Sequence, residues 1–138
     1  MQRAVKSRGQ DLVEYALVVP FLLMALLMIF DLGRATYAYS VLFNAAREGG
    51  RYASVNAKTL NKDVLVANYI RSRVPGLEPA DVIIDIDWDA IGGADVPDRV
   101  TITLSYPFDI ITPFIGGIIG VDPWNMDTQA TMNLETEL

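Results

Sequence analysis

The sequence predicts an α+β fold: one long N-terminal helix, with a membrane half and an amphipathic half, packed on a small antiparallel sheet with a short second helix. Three observations carry this. Arg8 to Val55 passes without an obvious break from basic and polar, through almost purely apolar, to amphipathic. Ala57 to Gly76 holds a shorter helical pattern that Pro75-Gly76 stops. Three later segments alternate apolar and polar residues with no helix between them, the pattern of an antiparallel meander. At 138 residues there is room for one domain beside the long helix. The divisions fall as a basic leader over 1–9, the long helix over 10–56 with a transmembrane part at about 12–32, and an extracytoplasmic head over 57–138.

Within the long helix, Ala16 to Phe30 is apolar throughout, with Pro20 its one member that is neither aliphatic nor aromatic. A membrane span wants roughly 20 apolar residues, and about 17 is the short limit. Leu12 to Leu32 supplies 21, with Glu14 near one end and Asp31 near the other. Pro20 lacks a backbone N–H and is expected to kink or open the helix near Ala16. A buried core helix would show a similar run. A secretory signal would need small residues at a cleavage site after the run. Here the run meets Asp31-Leu32-Gly33-Arg34 and continues as helix, which favours a retained membrane helix. Arg3, Lys6 and Arg8 hold the N-terminus on the cytoplasmic side and leave the remainder outside.

Glu14 is the most informative residue. A carboxylate costs about 2.5–3.5 kcal/mol at the centre of a membrane helix, less near its end, and such residues usually have a partner and a function. If the chain were cut after Gly9, the new amine of Gln10 would lie close to one turn below Glu14. In a helical stack of subunits, one chain's amine could then meet another chain's carboxylate.

A basic leader ending in Gly, four residues, Glu and a long apolar segment resembles a type IV prepilin of class IVb. Gly9-Gln10-Asp11-Leu12-Val13-Glu14-Tyr15 is similar to the Flp and TadE-like processing sites of tight-adherence (Tad) pili. Val19-Pro20, Asp31-Leu32-Gly33-Arg34-Ala35 and Asn44-Ala45-Ala46-Arg47-Glu48-Gly49-Gly50-Arg51-Tyr52-Ala53 resemble the TadE-like family, as does Ala130 to Glu135 at the other end. The Gly-x4-Glu element alone is weak; the combination is specific. The resemblance implies a minor pilin or pseudopilin of a Tad-type pilus, or its main filament subunit, inserted in the membrane, cleaved after Gly9 by a prepilin peptidase, and assembled by pilus machinery with copies of itself or other pilins. It carries over Gly9, Gln10 and Glu14 as the processing positions; Glu14 and Pro20 are the candidate residues for assembly register. Localisation would be the cytoplasmic membrane first and the cell surface afterwards.

The outer half, Gly33 to Val55, carries Ala35, Ala38, Leu42, Ala45, Ala46, Gly49 and Ala53 at three- and four-residue steps. This small-residue stripe admits close approach, by the protein's own sheet or by a neighbouring subunit. Arg47 and Arg51 lie on another face and are expected to be solvated. Gly49-Gly50 weakens the helix by roughly 1 kcal/mol per glycine relative to alanine and is expected to end or bend it. In the second helix Asn61 is the expected N-cap, and Val64, Leu65, Tyr69 and Ile70 the expected buried side.

The strands are expected at Asp81 to Asp89, Val100 to Tyr106 and Thr128 to Glu135. The first puts Val82, Ile84, Ile86 and Trp88 on one face and Asp85, Asp87 and Asp89 on the other. D-x-D-x-D shares its first three ligands with a calcium loop, which also needs Gly sixth and Glu twelfth. Ala90 and Val96 stand there instead. Asp85, Asp87 and Asp89 are thus at most weak metal candidates, and no cofactor is expected. Pro107 to Trp124 is expected as an apolar loop rich in Gly and Pro, too long to be a plain connection. Phe108, Phe114, Ile115, Ile118 and Ile119 are its candidate subunit-contact or membrane-proximal residues; the other expectation is that they cover the chain's own core.

Composition excludes other classes. There is no Cys and no His, hence no disulfide framework, thiolate nucleophile or imidazole base. A net charge of −6 argues against nucleic acid as a partner. With no nucleophile motif and no phosphate loop, the chain is not expected to be an enzyme. The expected function is a structural pilus subunit. The alternative is a bitopic membrane protein that does not polymerise and whose outer domain binds a partner.

Overall fold

A computed structural model describes residues 8–90, 97–113, 120 and 123–134 of the chain. Helix α1, Arg8–Asn56, is one continuous element of 49 residues. At a rise of 1.5 Å per residue it is about 74 Å long. Pro20 lies inside it without ending it. Helix α2, Lys62–Arg71, follows, and then strands β1 (Ile83–Asp89), β2 (Arg99–Phe108) and β3 (Trp124–Asn133). The sheet is antiparallel in the order β1-β2-β3, the meander that the alternation predicts.

The outer half of α1 packs on β2, β3 and α2. Its stripe of Ala35, Ala38, Leu42, Ala45, Ala46 and Ala53 is buried against Val100, Ile102, Leu104, Met126 and Ala130 of the sheet. Of the two packings open to the stripe, the chain's own sheet takes it. Small side chains are needed because a helix and a sheet with full-sized residues on both faces cannot approach this closely.

Gly49 and Gly50 neither end nor visibly break α1, which runs on to Asn56. Their role is proximity. A Cβ on Gly49 would lie 2.5 Å from Cγ1 and 2.7 Å from Cδ1 of Ile70, and one on Gly50 would lie 2.9 Å from Cγ of Met132. The weak helix propensity of glycine is outweighed by the packing of α2 on one side and β3 on the other.

The same crossing sets the buried face of α2. Val66 and Ile70, one turn apart, are fully buried, whereas Val64 and Leu65 face outward. Tyr69 is half-buried and stacks on Tyr52 of α1, with centroids 4.2 Å apart. The expected face is therefore rotated, because the glycine gap at Gly49 admits Ile70 and carries Val66 inward with it. Asn61 is not an N-cap in the expected sense. It adopts the left-handed conformation (φ 59°), and its side chain makes no capping bond. Asn tolerates that region better than most residues, so it serves here as the turn into the helix.

At the far side of the sheet, Trp88 Nε1 donates to Asp63 Oδ1 at 2.7 Å, and Lys62 Nζ sits 3.8 Å from the Trp88 ring centroid. These contacts tie the start of α2 to the sheet edge. Trp88→Phe is expected to lower stability by about 1 kcal/mol, read as a drop in Tm of the full chain in detergent.

The strand limits differ from expectation at one place that matters. β2 extends through Pro107 and Phe108, and β3 begins at Trp124, with Pro107 opposite Asn125 and Phe108 opposite Trp124. The loop is thus shorter at both ends than Pro107 to Trp124. Proline fits here because alternate positions on a strand need not donate to a given neighbour.

Candidate functional site

From Gly9 to Phe30, α1 carries no part of the head. Every residue in that stretch is exposed except Met24 and Leu27, which are half-buried. Leu12, Phe21, Leu22, Ile29 and Phe30 are among the large apolar side chains left bare. By length and composition the helix can cross a membrane, and its most apolar window has none of its residues buried within the chain. An aliphatic surface of this extent is stable only in lipid or against other apolar helices.

The sequence-predicted site residues sit at the free end of this stretch. Gly9, Gln10, Glu14 and Pro20 all lie on α1. Gln10 and Glu14 are four residues apart and share one face of the helix. Glu14 is exposed beside Tyr15 and Val18 rather than drawn into the head. Asp11 lies in the first turn, where a carboxylate is favoured by the helix dipole. Gly9 has open space around it: a Cβ there would meet nothing within 4 Å, and its φ is not positive. The contrast with Gly49 and Gly50 is informative, since packing requires glycine at those two positions and not at Gly9.

Where the bare stretch meets the head, Asp31 forms a clasp. It is only 8 % exposed. Its Oδ2 accepts from the Thr112 N–H at 2.7 Å and from Thr112 Oγ1 at 2.6 Å, and its Oδ1 accepts from the Ile111 N–H at 3.1 Å. Arg34 completes it, donating to Asp31 Oδ1 at 3.3 Å and to the Asp109 carbonyl at 3.4 Å, with its guanidinium 4.9 Å from the Phe108 ring centroid. The stretch after β2 is therefore strapped to α1 one residue past the apolar run. Sequence reading marks Asp31 as the end of that run, but its partners lie 80 and 81 residues further on and have no local signature.

Of the candidate contact residues, Phe108 is 4 % exposed and belongs to the chain's own core. Its place at the end of β2, under Arg34, explains this and removes it from the surface of the folded chain. Phe114, Ile115, Ile118 and Ile119 lie outside the described residues. Asp85, Asp87 and Asp89 point outward from β1, on the face away from Ile84, Ile86 and Trp88. Among the described residues no group of three or more acidic side chains is placed to hold a metal ion.

The bare apolar helix, the shared face of Gln10 and Glu14, and the clasp at Asp31 all fall within one segment. Residues 9–51 match the family of TadE-like proteins. The TadE-like segment covers α1 from the unconstrained Gly9, through the clasp residues Asp31 and Arg34, to Arg51 just past the glycine gap. It takes in most of the helical residues on which the sequence resemblance rests; it ends before α2 and the sheet and does not reach Ala130 to Glu135. No curated protein and no solved structure matches the chain.

Proposed function

We propose that the chain is a prepilin-like structural subunit of a Tad-type pilus, held in the cytoplasmic membrane by α1 before assembly. The observation that carries this is the coincidence of the TadE-like match with an apolar half-helix that the head leaves bare. Such a helix can exchange lipid for the helices of neighbouring subunits with little change in its apolar contacts. The leader before Gln10 would stay cytoplasmic and the head would lie outside. A prepilin peptidase would cut after Gly9, a glycine that the fold itself does not require. The released amine of Gln10 would then pair with Glu14 of a neighbouring subunit, which fixes register because an unpaired carboxylate among apolar helices is costly. Pro20 would let the helix adjust as it packs. Phe114, Ile115, Ile118 and Ile119 remain the proposed apolar contact of the head with neighbours or with the membrane surface.

Intact mass spectrometry with N-terminal sequencing on material sheared from cells tests this. The expected result is a chain beginning at Gln10 in the sheared fraction. Glu14→Ala is expected to leave the chain in the membrane fraction at normal level and to deplete it from the sheared fraction. A Met1 chain found only in membranes would instead establish a bitopic protein that does not polymerise.

A further inference from the structure

The head presents two unlike surfaces on opposite sides. On the outward side of α1, Tyr39, Phe43, Arg47 and Arg51 follow one another at four-residue steps and all are exposed. Tyr39 and Phe43 stack with centroids 6.5 Å apart, and the Arg47 guanidinium lies 5.6 Å from the Phe43 centroid. The result is an ordered ridge, aromatic first and cationic after. On the other side of the molecule, edge strand β1 turns Ile83, Asp85, Asp87 and Asp89 away from the core. Asp89 has Arg99 as its register partner on β2, whereas Asp85 and Asp87 have the uncharged Thr103 and Thr101 opposite. The ion pairs among the described residues are Arg34–Asp31 and Arg73–Glu48, so neither surface is neutralised from within the chain.

The two surfaces match in order and in spacing. Ile83, Asp85 and Asp87 are spaced by two strand residues, about 6.7 Å a step. Phe43, Arg47 and Arg51 are spaced by four helix residues, about 6 Å a step. Over the three positions the accumulated mismatch is about 1.4 Å, which two flexible arginines absorb. Each surface reads apolar, charged, charged, with opposite sign.

We infer that the outer face of β1 in one copy seats the α1 ridge of a second copy, Ile83 against Phe43, Asp85 against Arg47 and Asp87 against Arg51. The occupant is another copy because the complementary surface is carried by the same chain. Pairing of β1 with β1 is opposed by the aspartates on that edge. A contact between two different surfaces repeats from copy to copy and can extend as an open series. It rests on the pilus reading only in that copies must come side by side, and it names the head surfaces that then meet.

The chain has no native cysteine, which gives a direct test. Arg47→Cys and Asp85→Cys are introduced together, the full chain is expressed in cells, and sheared and membrane fractions are mildly oxidised. The two positions face opposite ways in one molecule, so a disulfide between them must join two copies. A ladder of crosslinked multimers is expected with this pair and not with either single substitution or with Arg47→Cys plus Gln129→Cys. A chain that reaches the sheared fraction without a pair-specific ladder overturns the contact and leaves the pilus reading standing. A pair-specific ladder confined to membranes supports the contact and counts against the pilus reading. Absence from both ladder and sheared fraction overturns the two together. Charge reversal checks the same contact without cysteine. Arg47→Glu with Arg51→Glu is expected to reduce multimer by roughly tenfold at low salt. Adding Asp85→Arg with Asp87→Arg in the same chain should restore it, and failure to restore it overturns the pairing.

Discussion

Gly49→Val is expected to destabilise the folded head by about 3 kcal/mol or more, the upper range for overpacking a core. The nearest side chain, Ile70, is fully buried, and a Cβ at position 49 would fall 2.5 Å from its Cγ1 and 3.3 Å from Cδ1 of Ile102. Neither isoleucine can retreat, since both lie inside the cluster formed by α1, α2 and β2. Relief must come from separating α1 and α2, which would also disturb the Tyr52–Tyr69 stack. Gly49→Ala gains about 1 kcal/mol of helix propensity, so its net loss should be smaller. The discriminating measurement is a double-mutant cycle by urea unfolding in detergent, with the fluorescence of Trp88 and Trp124 as probe. Combining Gly49→Ala with Ile70→Val should recover part of the loss, because the valine removes the Cδ1 that lies 2.7 Å away, while the Cγ1 at 2.5 Å remains and the shorter side chain can shift more freely. Additive losses would mean that the glycine serves some purpose other than room for Ile70.

Asp31→Ala is expected to cost about 3 kcal/mol and to free the segment after β2 from α1. The substitution strands the N–H groups of Ile111 and Thr112 and the Thr112 hydroxyl, of which the Thr112 pair is buried. It also leaves Arg34 with the Asp109 carbonyl and the Phe108 ring alone. Hydrogen exchange is the informative readout. The amides of Ile111 and Thr112 should lose protection while the strand amides of β1 and β2 keep theirs. Arg34→Gln should do much less, because Arg34 is the more exposed partner and its ion pair is long, at 3.3 Å. Uniform loss of protection across the sheet would mean that the clasp holds the whole head rather than one segment.

The coarse architecture is legible in the sequence because it rests on periodicity. The stripe from Ala35 to Ala53 and the alternation of β1 to β3 are local patterns, and each finds the burial that its period implies. What fails to read locally depends on a contact distant in sequence. Gly49 looks like a helix breaker until Ile70 is placed against it. Val66 and Ile70 become the inner face of α2 because of that same gap, and Val64 and Leu65 lose the place their hydrophobicity suggests. Phe108 looks like loop until Trp124 pairs with it. The free end of α1 is the reverse case. Gln10, Glu14 and the apolar run are plain in sequence because that stretch is exposed along the helix and its pattern is local.

The clasp at Asp31 also imposes a timetable on synthesis. The carboxylate leaves the ribosome 80 residues before the first backbone N–H that will satisfy it. At 5–20 residues per second, the delay is about 4–16 s. Throughout that interval the apolar run is complete while Asp31 still needs water; on the proposed membrane insertion, the acid would stop the helix at the lipid boundary before any head exists. On that reading the insertion depth of α1 would be set early, and the later arrival of Thr112 would turn a temporary stop into a permanent joint.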